Sequence, residues 1–170
     1  MSSNIDLIRI AVMVLPLIFA VSVHEAAHGW AAFKMGDDTA ARAGRITLNP
    51  IRHLDPFGSV ILPLLLAISG APVILGYARP VPVNFARLSD PRRGTIAVSL
   101  AGVTANLIVL AASGLVFRLL LFLGQTQVSV ESPMAPILLN LMLFFGFSAL
   151  INAILAVFNL IPIPPLDGSR

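Results

Sequence analysis

The sequence predicts an all-α membrane protein, a polytopic bundle of transmembrane helices with one re-entrant segment and a small β element facing the cytoplasm. Composition is the first reason: of the 170 residues, 57% are hydrophobic and 11% are charged, and the mean hydropathy is +0.92. An ordinary globular domain is only about 45–50% apolar. No linker, low-complexity tract or repeat divides the chain, so we expect one domain over residues 1–170.

Four apolar stretches are the second reason, because a helix needs about 20 apolar residues to cross a bilayer. They cover residues 7–33, 57–75, 95–123 and 134–161. The first stretch lacks a small-residue cleavage site after a short apolar core. It is therefore predicted to be a retained helix rather than a signal peptide.

The loops between these stretches predict the orientation. Residues 34–56 and 77–93 are rich in arginine, whereas residues 124–133 contain neither lysine nor arginine. Cytoplasmic loops carry an excess of positive charge, so both arginine-rich loops are expected in the cytoplasm and the third loop outside. The same loops account for the net charge of +3 and the pI near 10.6. We therefore expect a lipid bilayer around the protein and no nucleic-acid partner.

The second stretch is predicted to be re-entrant, because both of its flanking loops are expected on one side of the membrane. Pro63, Gly70 and Pro72 interrupt its helix, and its length is marginal for a span. Asp55 and Pro56, just before it, are a typical N-cap and first helical residue. The alternative is a complete span with one arginine-rich loop outside the cell.

Two segments of the arginine-rich loops predict the β element. Residues 42–50, RAGRITLNP, alternate Ile46 and Leu48 with polar residues, which is typical of a short strand. Residues 79–85, RPVPVNF, are kept extended by their prolines. We expect these segments to form a small sheet or hairpin.

The motif HEAAH near the end of the first stretch predicts a metal site. His24 and His28 are four residues apart, a spacing that places both imidazoles on one face of a helix. Glu25 is turned about 100° away, so its carboxylate can take a proton from a water molecule at the ion. The chain has no cysteine, and ionisable groups in an apolar helix are by default functional. We predict one zinc ion per chain. The alternative is two histidines that stack on a helix face by accident or hydrogen-bond a neighbouring helix.

A catalytic zinc ion needs a third protein ligand and an open position. Asp167 is the only acidic residue after Glu131, and prolines before it stop the fourth helix so that the chain can turn inward. We predict Asp167 as the third ligand, with an ordinary Asp-Gly turn as the alternative. Asn159, near the end of the same helix, is predicted to donate to the oxyanion of a peptide intermediate; the alternative is a helix C-cap or an interhelical hydrogen bond.

These motifs resemble those of the site-2 protease family of intramembrane zinc metalloproteases. HEAAH at residues 24–28 and NLIPIPPLDG at residues 159–168 carry the resemblance. GRITLNPIRHLDPFG at residues 44–58 and ARPVPVN at residues 78–84 look like the compact prokaryotic members that lack a PDZ domain. The resemblance extends over residues 21–170.

The resemblance implies a role for each site residue. Zinc would be held by His24, His28 and Asp167. Glu25 would be the catalytic base, and Asn159 would contact the substrate or its oxyanion. A transmembrane protein or peptide would be the substrate, unwound locally and cut within the membrane.

The expected setting follows from the same resemblance. We expect a multi-pass protein of a prokaryotic plasma membrane, with its active site toward the cytoplasm. A divalent-metal transporter and an inactive relative that only binds transmembrane helices are the alternatives. Family members continue into at least one further helix, so the chain is expected to be truncated at its C-terminal end. The sequence leaves the oligomeric state open.

Overall fold

The structure is a computed structural model that describes residues 7–71, 76–127, 132–164 and 166–169. Its α-helices are α1 (Leu7–Lys34), α2 (Thr39–Arg42), α3 (Leu62–Ile68), α4 (Pro91–Gln127) and α5 (Ala135–Leu160). A π-helical segment, Pro56–Ile61, leads directly into α3, and 3-10 turns occupy Pro50–Arg52, Phe85–Arg87 and Asp167–Ser169. The prediction of an all-helical protein is confirmed for these residues.

Among the described residues, three helices are long and apolar enough to cross a membrane. The segments are Ile10–Lys34, Pro91–Gln125 and Ala135–Leu160, which confirms the first, third and fourth predicted helices. Large apolar side chains on them are exposed, for example Leu115 and Val157. Such exposure suits a bilayer, because lipid tails are as apolar as these side chains.

The chain divides into two compact units. One contains residues 1–20 and 103–170, and the other contains residues 21–102. Helices α1 and α4 each contribute residues to both units. The prediction that residues 1–170 form a single domain stays a prediction.

Helix α1 ends in a Schellman motif that turns the chain sharply. Gly36 has a φ angle of +102°, a left-handed conformation that glycine adopts without strain. Its N–H donates to the carbonyl of Phe33 at 3.2 Å, and the N–H of Asp37 donates to that of Ala32 at 2.9 Å. Lys34 in the last turn also complements the helix dipole.

Asp37 is fully buried and joins the end of α1 to the segment that precedes α4. Its carboxylate accepts hydrogen bonds from the N–H and hydroxyl groups of Thr39, and from the N–H of Asn84 at 2.7 Å. Burial raises the pKa of Asp37. The hydrogen bonds and the positive charge of Arg87 outweigh burial, so the pKa lies below its ordinary value.

Small side chains form the centre of one hydrophobic cluster in the 21–102 unit. Ala31, Ala32 and Val98 are buried there, and Val83, Phe85 and Ala101 pack against them. The alanines allow the end of α1 to approach the start of α4 closely. This approach brings the backbone of α4 within reach of α1 side chains.

The predicted start of the second helical segment is confirmed. Asp55 accepts hydrogen bonds from the N–H groups of Phe57 and Gly58, and Pro56 is the first helical residue. The π-helical segment and α3 together run over residues 56–68. At 1.5 Å per residue they extend about 20 Å, which is short of the hydrocarbon thickness of a bilayer.

The return of this stretch is described only in part. The N–H of Tyr77 donates to the carbonyl of Gly58 at 3.1 Å, and the hydroxyl of Ser59 donates to the carbonyl of Tyr77 at 2.8 Å. The two ends of the stretch therefore meet. Residues 72–75 lie outside the described residues, and these contacts do not show entry into a membrane. The re-entrant prediction is not supported.

The predicted β element is wrong, because no residue of 42–50 or 79–85 lies in a strand. Thr47 shows why the first segment bends: its hydroxyl accepts a hydrogen bond from the N–H of Asn49, and its carbonyl lies 2.8 Å from Nε2 of the buried His53. In the second segment, prolines lack the N–H groups that a strand ladder needs. Side chains alternate between buried or half-buried and exposed over residues 81–85, but Leu48 of the first segment is exposed.

Polar residues join α4 to α5 in the other unit. The hydroxyl groups of Ser113 and Ser148 are 2.9 Å apart and buried. Asn152, also buried, donates through Nδ2 to the carbonyl of Ser148 within α5 at 2.8 Å. The serine pair is the polar contact that links the two helices, as polar side chains commonly do in membrane proteins.

We expect Asp37→Asn to lower the free energy of unfolding by roughly 1–3 kcal/mol near pH 7, because hydrogen bonds to a buried charge are weakened. The folded pKa of Asp37 lies below the ordinary value of 3.8. Its stabilising contribution is therefore complete above that value and is lost as the pH falls through the folded pKa. Thermal unfolding in detergent at a series of pH values measures this difference.

The control for Asp37→Asn is Asp90→Asn. Asp90 is exposed, and its side chain accepts a hydrogen bond from the N–H of Arg93. Asparagine keeps that acceptor, so little change is expected. A stability difference for Asp37→Asn that does not change with pH would contradict the assignment.

Candidate metal centre

Helix α1 places His24 and His28 on one face. Their Nε2 atoms are 3.0 Å apart, and the ring planes meet at 80° with centroids 4.6 Å apart. Both side chains are buried, with 7% and 8% of their surface exposed. We call these two residues the histidine pair.

A backbone carbonyl determines the tautomer of His28. Its Nδ1 lies 2.7 Å from the carbonyl oxygen of Val98, at the start of α4. A carbonyl can only accept, so Nδ1 carries the proton and donates it. The lone pair is then on Nε2, the atom that faces His24. Metal-binding histidines are commonly held by such a second hydrogen bond.

Gly102 leaves the space in which the two imidazoles meet. A Cβ at this position would lie 2.5 Å from Cε1 of His24 and 2.5 Å from Nε2 of His28. Any side chain would therefore displace the rings, because close-packed interiors do not admit such contacts. The backbone of α4 forms one wall of the site through this glycine.

The histidine pair fits zinc by the chemistry and spacing of its donors. Zinc binds neutral imidazole nitrogens at 2.0–2.1 Å in tetrahedral sites, which places two such nitrogens about 3.3 Å apart. The observed Nε2 separation of 3.0 Å is close to that value. The pair can therefore supply two of the ligands that a zinc ion needs.

The carboxylate of Glu25 is held by a backbone group. Its Oε2 accepts a hydrogen bond from the N–H of Val81 at 2.7 Å. Gly29, one turn further along α1, makes this contact possible: a Cβ there would lie 3.1 Å from Cγ1 of Val81 and 3.3 Å from Cγ1 of Ile46. The extended segment over residues 79–84 thus packs directly on α1.

Arg45 is a buried cation in the same unit, with 7% of its surface exposed. Its Nη2 donates to the carbonyl of Arg79 at 2.5 Å and lies 3.4 Å from that of Pro80. Burial lowers the pKa of Arg45 and the charge of Arg79 lowers it further, whereas the carboxylate of Glu25 raises it. The negative charge of Glu25 therefore favours the charged guanidinium.

Asp167 belongs to the other unit, where it begins the 3-10 turn Asp167–Ser169. Helix α5 ends at Leu160, as the prolines predict. The turn folds back on that end, because a Cβ at Gly168 would lie 2.5 Å from the carbonyl oxygen of Leu160. The carboxylate of Asp167 is half-buried and is a candidate metal ligand. That it shares one ion with the histidine pair stays a prediction.

Asn159 makes a hydrogen bond within its own helix. Its Nδ2 donates to the carbonyl of Leu155, one turn earlier in α5, at 2.9 Å. Its predicted role as a contact to an oxyanion stays a prediction.

Sequence reasoning missed four groups that shape the site: the carbonyl of Val98, the N–H of Val81, Arg45 and the wall at Gly102. Backbone groups carry no residue-specific signal. The glycines were the available signal, because a glycine inside a helix costs about 1 kcal/mol relative to alanine and so needs a packing reason.

Known proteins resemble this chain over most of its length. The family model described as Peptidase family M50 matches residues 12–170. “Putative zinc metalloprotease YwhC” of Bacillus subtilis (strain 168) is 41% identical over 158 residues, which are 93% of this chain and 66% of that protein. No solved structure matches the chain.

Two mycobacterial relatives share the name “Putative zinc metalloprotease Rip2”. The protein of Mycolicibacterium smegmatis is 30% identical, and that of Mycobacterium tuberculosis (strain ATCC 25618 / H37Rv) is 33% identical, each over 151 residues. The match covers 89% of this chain and 52% of each relative. The chain thus spans between about half and two thirds of the length of these relatives.

We expect Gly102→Ala to weaken zinc binding by about 10- to 100-fold, because the new Cβ displaces the imidazoles. Titration with a competing chelator measures the affinity. Gly114→Ala is the matched control, because it lies on the same helix and a Cβ there meets no atom within 4 Å. Equal zinc affinity in the two variants would contradict the described geometry.

Proposed function

The chain belongs to peptidase family M50, the site-2 protease family, and from this premise we propose that it is an intramembrane zinc endopeptidase. Its substrates would be transmembrane proteins or peptides, cut within their membrane helices. One observation carries the proposal: two buried imidazoles converge through their Nε2 atoms on the turn of α1 that also bears Glu25. This is the arrangement that the HExxH motif requires for metal-assisted hydrolysis.

We assign one zinc ion per chain to His24, His28 and Asp167. The names of the relatives support zinc, and the spacing and tautomer of the histidine pair suit it. When bound, zinc supplies Lewis acidity toward the scissile carbonyl and the attacking water. Asp167 supplies the negative charge that two neutral imidazoles lack.

Glu25 is the general base of the proposed reaction. The N–H of Val81 holds its Oε2, so Oε1 can accept the proton of the attacking water. Water oxygen bonds to the carbonyl carbon, and the proton then passes from Glu25 to the amide nitrogen as the carbon–nitrogen bond breaks. Because peptide bonds in a helix are shielded, the substrate helix must unwind locally first.

Asn159 is proposed as a contact to the substrate carbonyl. Its Nδ2 now donates to the carbonyl of Leu155. The proposed role requires this donor to exchange that carbonyl for the developing oxyanion. Its position eight residues before Asp167, in the motif NLIPIPPLDG, supports the proposal.

We place the protein in the plasma membrane of a prokaryote, with the site toward the cytoplasm. The arginine-rich loops at residues 34–56 and 77–93 support this orientation through the positive-inside rule. The lipid bilayer is then part of the surroundings of the site, and residues 1–170 act as one domain.

Glu25→Gln is expected to retain zinc and to lose cleavage of a transmembrane substrate by a factor of about 100 or more, because the amide cannot take the proton of water. Reconstituted vesicles with a labelled substrate helix measure cleavage, and elemental analysis measures zinc. Asp90→Asn, at an exposed carboxylate, is the control and should cleave like the wild type. Cleavage retained by Glu25→Gln would refute the assignment. Metal flux without any proteolysis in the wild type would favour a transporter.

Asp167→Ala is expected to lower zinc affinity by about 100-fold or more, since the loss of a ligand exceeds the loss of a supporting hydrogen bond. Ser169→Ala, in the same turn, is the matched control; it removes only a hydroxyl that donates to the carbonyl of Leu166. Zinc stoichiometry and affinity are measured for both. Wild-type affinity in Asp167→Ala would show that this carboxylate does not share the ion.

A further inference from the structure

We infer that Arg45 is a positioning residue for the catalytic base. Its guanidinium holds the carbonyl groups of residues 79 and 80, and this keeps the N–H of Val81 against the carboxylate of Glu25. The inference rests on the proposed role of Glu25 as the base.

Three contacts join Arg45 to Glu25 through the backbone. Nη2 of Arg45 donates to the carbonyl of Arg79 at 2.5 Å and approaches that of Pro80 at 3.4 Å. The next residue along the chain, Val81, donates its N–H to Oε2 of Glu25 at 2.7 Å. The orientation of the peptide groups on both sides of Pro80 is thus fixed by one side chain.

The segment over residues 79–84 needs such an anchor because its prolines prevent it from pairing as a strand. Pro80 and Pro82 have no N–H, so Val81 has the one backbone donor within residues 80–82. The far end of the segment is tied at Asn84, whose N–H donates to Asp37 at 2.7 Å. Arg45 and Asp37 therefore hold the two ends, and Val81 lies between them.

Packing brings Val81 and the neighbour of Arg45 to the same turn of α1. Ile46, the neighbour of Arg45, and Val81 both lie within about 3.3 Å of where a Cβ of Gly29 would be. Gly29 is one helical turn after Glu25. The two chain segments therefore meet α1 directly beside the base.

Arg45 differs in burial from the other arginines of the arginine-rich loops at residues 34–56 and 77–93. Arg42, Arg52 and Arg79 are exposed, whereas Arg45 is more than nine-tenths buried. Its Nε is buried without a hydrogen-bond partner among the residues described. Burial of a guanidinium has a large desolvation free energy, which an apolar side chain of similar size would not have. The observed donation to two carbonyls is the function that an apolar side chain lacks.

Amide hydrogen exchange in the zinc-loaded protein tests this contact without reference to activity. The prolines leave Val81 as the one exchangeable amide in residues 80–82, so its exchange can be read from a short peptide. Arg45→Met and Glu25→Ala should each accelerate exchange at Val81 by about tenfold or more, the effect of losing a hydrogen bond to a charged group. Arg52→Met, at an exposed arginine of the same loop, should leave that exchange unchanged.

Unchanged exchange at Val81 in Arg45→Met would overturn the inference. Exchange of the amides around Val98 reports whether the unit remains folded in each variant. If Arg45→Met unfolds the unit, Arg45→Lys replaces it, because lysine keeps the charge but not the planar fork of donors. In Arg45→Lys, faster exchange at Val81 with unchanged exchange around Val98 supports the inference. An exchange rate at Val81 equal to that of the wild type refutes it.

Steady-state kinetics of substrate cleavage provide a second test of the inference. Arg45→Met should lower kcat by about 10- to 100-fold, as expected for a misplaced catalytic group, with KM and zinc content unchanged. Arg45→Lys should recover part of kcat, and Arg52→Met should match the wild type. A fall in zinc content together with kcat would indicate a merely structural role and overturn the inference. If the wild type itself cleaves nothing, the proposed function fails, while the exchange experiment still decides the contact between Val81 and Glu25.

Discussion

The hydrogen bond between Nδ1 of His28 and the carbonyl of Val98 is the interaction on which the candidate metal centre depends. It decides which ring nitrogen has the lone pair, and it requires the end of α1 to lie almost against the start of α4. Ala32 and Gly102 satisfy that requirement, because neither has a side chain large enough to separate the helices. The tautomer of one histidine therefore follows from small residues elsewhere in the sequence.

Three charged side chains of the 21–102 unit, the buried Asp37 and Arg45 and the half-buried Glu25, are stabilised by backbone groups of one extended segment. Glu25 accepts from Val81, Asp37 accepts from Asn84, and Arg45 donates to the carbonyl of Arg79. A strand would have used these N–H and C=O groups in a ladder with a neighbouring strand. Because prolines prevent that, the groups remain available to charged side chains. The segment that looks like a poor strand is a set of hydrogen-bond partners for the site.

The sequence predicted the features that depend on side-chain spacing and on local backbone chemistry. The common face of His24 and His28, the cap at Asp55 and the end of α5 at Leu160 are of this kind. The β element failed because alternation records where side chains point and says nothing of where backbone groups pair. The contact of Val81 with Glu25 was missed for the same reason. Backbone donors appear only when the fold brings distant segments together.

Zinc K-edge X-ray absorption of the protein loaded with one zinc ion tests the central claim most directly, because it counts ligands without requiring a substrate. The account predicts four-coordinate zinc with two imidazole nitrogens at about 2.0–2.1 Å and the remaining positions filled by oxygen. The imidazole contribution should disappear when His24 and His28 are both replaced by alanine. A first shell of oxygen alone, or of a single imidazole, would contradict the account.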